Sequence, residues 1–514
     1  MKLSLKKPLV VFATALTFAA CGDSDTTDLL KNINIEDEEE EEITVDPIMK
    51  ITGDVTKLGG RGEWGGLVLT GYGKVNNGDT NGQTTSEAVP DGVTRYYGGN
   101  SNGDTSGSLK YIVLAETGEA FRPDEEVQGL TMEAVGSGTQ VSYVQVTNSD
   151  DDGIEWFGGA AKNDHLVISG QADDCLDIDL GFQGTIQFAI CITGKTHGDK
   201  VIESDNNGDN FGATPKTSPI MANLTLLGDT GNEGKGSVVH REGFGGEVYR
   251  SVITDNKLTG GTFGKCLDID SELDEDMFYG DVVFNCSKGI DPADDAFTTD
   301  FMAGANYDGE ADAALTINAT KLGVTATFTK SNYTSILTGA GLVDTNYVGA
   351  VDPAAATAWF EGWTIRDAGI DGNLPGSASF HPLQEEIEDG SLAPAAKNGC
   401  LGINAGFATA VSTTVFGKEF PVCIMSGTVT SDTTLTPDHV YLLDGTVNVG
   451  NGDVEIAFDE SKVKNVTLTI QPGTQILGIS ETASALVITR GSKIQAEGTA
   501  ELPIVFGGVT AEDL

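Results

Sequence analysis

The chain has 514 residues, 67 of them glycine, and 77 acidic against 30 basic side chains give it a formal charge of −47. A surface that negative excludes nucleic acid as a partner, because a phosphate backbone needs a basic face. Long helical patterns are nearly absent, and abundant Gly with Thr, Asn, Asp and Val fits an all-β chain with many tight turns.

Lys2, Lys6 and Lys7 followed by the apolar run 9–20 predict a signal peptide over residues 1–20. That run is too short to cross a membrane as a helix. It ends Phe18-Ala19-Ala20-Cys21-Gly22, which resembles the lipobox of bacterial lipoproteins. The resemblance implies that Cys21 is lipidated and anchors the chain to a membrane. Gly22, rather than Asp, implies an outer-membrane lipoprotein, facing the periplasm or the cell surface. Residues 21–46 offer no core, and the acidic run 36–42 repels itself, so this segment is expected to be a disordered tether.

The folded body is expected over residues 47–365. Trp64-Gly65-Gly66-Leu67-Val68-Leu69 opens the first clear strand, and strands near 109–114 and 129–135 lead into the most regular stretch, 129–210. There, short apolar patterns at 141–146, 165–168 and 186–192 alternate with Gly, Asn and Asp clusters that read as turns. Val144 to Val167 is a step of 23 residues and Val167 to Ala189 one of 22. A period near 22 predicts a solenoid, a right-handed parallel β-helix with loop insertions, whose rungs must stack because one rung cannot bury its own apolar face.

Acidic clusters keep nearly the same beat. Asp173 and Asp174 follow Asp151 and Asp152 by 22 residues, and Glu203 and Asp205 come one longer rung later. Stacked about 4.8 Å apart, such carboxylates repel one another, and a divalent cation, calcium above all, would relieve them. The expected metal-binding set is Asp151, Asp152, Asp173, Asp174, Asp205, Asn207 and Asp209. The last three alternate around Gly208 like part of a calcium loop, without the distal Glu of an EF-hand. Asp is equally a good turn former at rung corners, which asks for no ligand.

Asp173-Asp174-Cys175 followed by His197-Gly198, with Asp152 a rung upstream, resembles the catalytic rungs of polygalacturonase-type glycoside hydrolases. The resemblance implies acid and base roles for Asp152, Asp173, Asp174 and His197 about an attacking water. That family's downstream Arg-x-Lys pattern is missing; Lys235 and Arg241 are the nearest basic residues. Two functions of different class therefore stand side by side: a surface solenoid that binds glycan, calcium or a partner protein without catalysis, and a polysaccharide-cleaving enzyme.

After the signal peptide and Cys21, six cysteines remain, an even number in an exported chain, which predicts disulfides. Cys266 and Cys286 are 20 residues apart, close to one rung, and Cys175 and Cys191 are 16 apart. Nearest-neighbour pairing gives Cys175–Cys191, Cys266–Cys286 and Cys400–Cys423. Cys266-Leu267-Asp268-Ile269-Asp270 repeats Cys175-Leu176-Asp177-Ile178-Asp179, with Leu and Ile on one face and Asp on the other. Trp359, Phe360 and Trp363 are expected to cap the solenoid end, or to offer a platform for stacking sugars. Residues 366–420 read as a linker, and 421–514 as further rungs.

The long motifs resemble a family of exported bacterial β-helix lipoproteins with a pectin-lyase-like solenoid. They are Thr467 to Thr474, Leu486 to Phe506, Trp64 to Leu69, Val135 to Gly159, Ala172 to Asp179 and Glu203 to Asn207. In that family the PGT, RGSKI and PIVF block precedes the WGGLVL strand; here it comes last. Residues 421–514 are therefore expected either to stack before the first rung or to begin a separate module. A segment of 366–420 extended at about 3.3 Å per residue is long enough for the first.

Overall fold

A computed structural model describes residues 60–365 and 399–514, apart from short stretches at 88, 91, 123–124, 195–197, 229–237, 257–264, 288, 291–295, 311–313, 319–320, 410–413, 416–417, 420, 456–462 and 511–513. The signal peptide, Cys21, the tether, His197 and Lys235 lie outside the described residues.

Alternation builds the first sheet. Leu67–Thr70, Leu130–Glu133, Ile154–Phe157, Leu176–Asp179, Ile202–Ser204, Val238–His240 and Leu267–Ile269 each send their first and third residues into the interior. There Leu69, Met132, Trp156 and Ile178 share one core. Each strand pairs in parallel with the equivalent strand of the next rung. The two copies of the Leu-Asp-Ile pattern obey the same rule, with Leu and Ile buried and Asp177 and Asp268 outside. The result is a parallel β-helix.

The other faces are made by strands of eight or nine residues, Gly107–Ala115, Gln140–Thr147, Lys162–Ser169, Thr185–Ile192 and Phe278–Asn285. Each turns a corner at one residue of positive φ: Tyr111, Tyr143, His165, Phe188 and Asp281. Asn223 and Arg250 hold the equivalent place where the strand is split in two. Left-handed backbone costs a non-glycine residue about 1–2 kcal/mol, and stacking offsets it. Rings of Tyr111 and Tyr143 lie 4.5 Å apart, Tyr143 and His165 4.3 Å, and His165 and Phe188 4.9 Å.

The register differs by one residue from the spacing expected at Val144. Val144 pairs with Leu166, not Val167, and Leu166 with Ala189. A one-residue shift exchanges faces, so Leu166 joins the interior while Val167 packs outside with Ile190 and Phe360.

The C-terminal rungs precede the first rung in space. Ala485–Ile488 pairs in parallel with Leu67–Thr70, and Lys493–Glu497 and Ile504–Val509 both pair with Gly107–Ala115. Trp64 stacks on Phe506 at 6.1 Å and donates its indole N–H to Ala115 O (2.8 Å). One ten-stranded sheet thus runs from Leu267–Ile269 through Leu67–Thr70 to Thr428–Val429, and residues 47–514 are one compact unit.

The return path is not confined to a linker. Residues 331–365 run along the outside of the solenoid, clamped to the corner column. Gln187 and Gln145 each use both ends of the amide on one backbone residue, Val343 and Ile365 (2.8–2.9 Å). Asn223 donates to Thr345 Oγ1 and Gly349 O, and Arg250 binds Asp344 and Thr345 O. Trp359 and Trp363 meet the Tyr111–Tyr143–His165 stack edge-on. They cover a lateral face, so the expectation of an end cap fails. Phe360 and Trp363 are fully buried and Trp359 is half-buried, so the three rings do not form an open platform for stacking sugars.

Other segments close the ends. Helix Ala296–Ala303 packs on Leu267–Ile269, with Thr298 Oγ1 accepting the Ile269 N–H (2.9 Å). At the opposite end helix Cys400–Ile403 precedes Ala408–Thr409, which pairs antiparallel with Val422–Met425. Folded structure therefore begins by residue 400, inside the stretch expected to be linker.

The three disulfides are Cys175–Cys191, Cys266–Cys286 and Cys400–Cys423, with Cα separations of 6.1, 6.2 and 5.5 Å. The first two join opposite walls of a single rung rather than stacking one rung on the next. In the rung before Cys175–Cys191, Gly153 faces Ile168 so closely that a Cβ would collide with it. Where glycine made room for a branched side chain in one rung, the next rung places a covalent bridge.

Candidate functional site

Outward positions of the first sheet carry the acids. Three runs align, Ile154-Glu155-Trp156-Phe157, Leu176-Asp177-Ile178-Asp179 and Ile202-Glu203-Ser204-Asp205. Glu155 pairs with Asp177 and Asp177 with Glu203. Glu203 and Asp205 thus continue the row of Asp177 and Asp179, not that of Asp173 and Asp174 as their spacing suggested.

Asp152 and Asp174 begin a parallel row that ends on Lys200. Asp152 Oδ1 accepts the backbone N–H of Asp174 (2.8 Å), and Asp174 Oδ1 accepts that of Lys200 (2.5 Å). Each of these carboxylates therefore staples its rung to the next. Burial lifts both above the usual carboxylate range, Asp152 further by Asp151 and Asp174, and Asp174 further by Glu203 and Asp173.

Glu155 and Asp177 are different. Glu155 is only 7 % exposed, and among the described residues no hydrogen bond reaches its carboxylate. Asp177 Oδ1 has no accessible surface and no hydrogen-bond partner. Burial raises both pKa values, and every further influence is another carboxylate: Asp177, Asp152, Glu87 and Asp151 on Glu155, and Asp174, Glu203, Asp179 and Asp205 on Asp177. An oxygen each from Asp152, Glu155 and Asp177 lie within 4.8 Å of one another, and so do those of Asp174, Asp177 and Glu203. Two further sets, Asp151–Asp152–Asp173 and Asp173–Asp174–Asp199, sit at the sheet edge. Hard oxygen donors in that number suit calcium.

One rung on, protein cations do that work. Arg241 Nε donates to Asp205 Oδ1 (2.7 Å) and its Nη2 to Asp205 Oδ2 (3.0 Å) and Glu203 Oε1 (2.5 Å). Lys200 Nζ lies 2.6 Å from Asp199 Oδ1. Burial opposes charge on both bases, but Asp205 and Glu203 outweigh it for Arg241, and Asp199, Asp174 and Glu203 for Lys200, so both pKa values rise. Cations held protonated in this way are poor general bases.

Of the predicted ligands, Asp151, Asp152, Asp173 and Asp174 do gather. Asp205 is engaged by Arg241, and Asn207 Oδ1 closes a turn by accepting the N–H groups of Asp209 and Asn210 (3.1 and 3.0 Å). The Asp205–Asn207–Asp209 loop is thus an arginine-held Asx turn. Spacing of Asp pairs overlooked Glu155 and Asp177; the signal that finds them is the repeated apolar–acid–apolar pattern within the strands.

Fold and face together define a parallel β-helix with a carboxylate-lined sheet. Residues 42–364 and 427–513 match the family model described as pectate-lyase-like beta helix domain, and the chain belongs to that family. No curated protein and no solved structure matches it.

Proposed function

We propose that this protein is a surface-anchored lipoprotein whose β-helix binds calcium without catalysis, through Glu155 and Asp177 with the second oxygen of Asp152. The observation that carries the reading is a pair of adjacent carboxylates, Glu155 buried and Asp177 half-buried with its Oδ1 enclosed, for which no hydrogen bond or protein cation is found among the described residues. Leaving two such groups ionised and unpaired is costly, and a hard cation with residual water ligands relieves both. Lipidation of Cys21 would hold the body at the outer membrane, where a bound cation can recruit an anionic glycan or a partner surface.

Cleavage of a polysaccharide is the weaker reading. Asp152 and Asp174 each engage an oxygen with the next rung's backbone, and Lys200 and Arg241 are held charged. Calorimetric titration of the mature chain with calcium chloride tests binding directly; no heat of binding at millimolar calcium would end the proposal. A reducing-sugar screen on pectin, alginate and other anionic glycans, with and without EDTA, is expected to give no product, and calcium-dependent release of sugar would install the enzyme reading instead.

A further inference from the structure

One pentapeptide occurs twice in the chain, and the two copies meet different surroundings. In Cys175-Leu176-Asp177-Ile178-Asp179 and in Cys266-Leu267-Asp268-Ile269-Asp270 the cysteine is buried and bridges to the opposite wall of its own rung, with Cα separations of 6.1 and 6.2 Å. Outside, the copies part. Asp268 lies beside Val239 on the preceding rung, and its Oδ1 accepts a hydrogen bond from Lys265 Nζ (2.9 Å). Asp177 lies between Glu155 and Glu203, and the charged groups that act on it are carboxylates. The same bridge thus stands behind a self-paired acid in one rung and behind the unpaired acids in the other.

Cys175 is also where the three acidic rungs are laced together. Its N–H donates to Lys200 O (3.0 Å) and its carbonyl accepts the Ile154 N–H (3.1 Å), so one residue spans from the Glu155 rung to the Glu203 rung. Asp174 beside it gives its N–H to Asp152 Oδ1 (2.8 Å), and its carbonyl accepts the Gly153 N–H (2.8 Å). The far end of the bridge is firmly held. Cys191 lies in Thr185–Ile192, opposite Ile168 on one side and Leu226 on the other. Asp177 follows two residues after Cys175, so the bridge fixes where that carboxylate stands relative to Glu155 and Asp152.

We infer that the Cys175–Cys191 disulfide is the positioning element of the calcium site, holding Asp177 beside Glu155 and Asp152, and that calcium affinity therefore depends on the redox state of this one bridge. The inference rests on the calcium reading above. A cluster of acids alone would not support it; Glu155, 7 % exposed and without a hydrogen-bond partner among the described residues, and the enclosed Asp177 Oδ1 supply the need for a ligand. A dithiol reductant supplies two electrons and two protons, leaves Cys175 and Cys191 as thiols and closes into its own cyclic disulfide. The reduced chain then holds calcium more weakly than the oxidised one. Linkage is reciprocal, so calcium favours the disulfide over the dithiol by the same factor.

The test uses the full mature chain and calcium chloride. Calorimetry should show the double variant Cys175→Ala with Cys191→Ala binding calcium about ten-fold more weakly than wild type, the loss expected when a group that orients a ligand is removed. Cys266→Ala with Cys286→Ala loses the equivalent bridge of the other copy and should bind calcium as wild type does. In wild type poised with reduced and oxidised dithiothreitol, saturating calcium should shift the Cys175–Cys191 equilibrium about ten-fold toward the disulfide and leave Cys266–Cys286 where it was. Alkylation and peptide mass spectrometry read each bridge separately. A merely structural role would change calcium-free stability without moving this equilibrium. If wild type binds calcium and the first double variant binds it equally well, or if calcium moves both equilibria alike or neither, the inference is overturned while the calcium reading stands. If wild type binds none, both fall. Should the first double variant fail to fold, the redox equilibrium of the wild type decides.

Discussion

Glu155 and Asp177 stand on neighbouring rungs, and the charged groups that act on them are carboxylates, whereas Glu203 and Asp205, one rung further along the same sheet, share Arg241. The backbone geometry is the same in both places, since the rungs pair residue for residue. The difference is in what neutralises the charge. Where the chain supplies its own cation the charge is neutralised within the fold; where it does not, the proposed calcium would neutralise it. On that reading the acidic row is a self-paired segment beside an unpaired one, and only the second should respond to calcium.

The largest expected effect is that response. At a hundred-fold excess over its Kd, a ligand bound only by the folded state adds about 2.7 kcal/mol. Urea unfolding of the mature chain in saturating calcium and in EDTA measures it; coincident curves would count against a native-state site. Next comes the self-paired segment. Arg241→Met leaves Glu203 and Asp205 unpaired and should cost about 2 kcal/mol, below the usual loss for a broken buried pair because part of the side chain is exposed. Calcium should then restore more stability to this variant than it adds to wild type, as the self-paired segment becomes a second unpaired one. A variant that loses stability but gains no extra calcium response would show that the two segments are not equivalent.

A smaller effect separates them by pH. Burial raises Glu133 to about 7 and Asp179 to about 8, and raises Glu155 and Asp177 as well. A carboxyl group whose folded pKa lies above its unfolded value lends stability below the unfolded pKa, and loses it as pH rises through the folded one. In EDTA the chain should therefore be more stable near about pH 5 than near about pH 8, by roughly 1 kcal/mol or more. Glu155→Gln should flatten that slope, and so should calcium. A chain that gains stability across this range in EDTA would contradict the picture of uncompensated burial.

Much of this was legible in the sequence, for reasons that can be named. Alternation and a period near 22 follow directly from rung geometry, so the β-helix and the place of Leu176 and Ile178 inside it could be read. The cysteine pairs could be read too, although the reason differed: Cys175 and Cys191 face each other across one rung. Register resolved less well, because Val167 is as apolar as Leu166 and finds its outer partners in Ile190 of the next rung and in the strap formed by residues 331–365. That strap carries no period and so left no signal; Trp359 and Trp363 looked like an end cap for the same reason. Glu155 escaped notice because a lone Glu inside an apolar strand has no loop motif around it, and its isolation appears only when Asp177 is stacked beside it.

The smallest effect tests whether Asp152 belongs to the site or to the scaffold. Its Oδ1 accepts the Asp174 N–H, a bond that an asparagine oxygen can also accept. Asp152→Asn should therefore stay within about 0.5 kcal/mol of wild type in EDTA, since only a buried charge is removed. Asp152→Ala should cost about 1 kcal/mol more, because the buried N–H loses its partner. Calcium affinity should drop less in Asp152→Asn than in Glu155→Gln, whose carboxylate has no other engagement. If Asn is as damaging to stability as Ala, the staple is not what Asp152 does. If Asn instead abolishes calcium binding while leaving stability intact, Asp152 is a principal ligand, and the boundary between stapling row and binding row must be moved by one column.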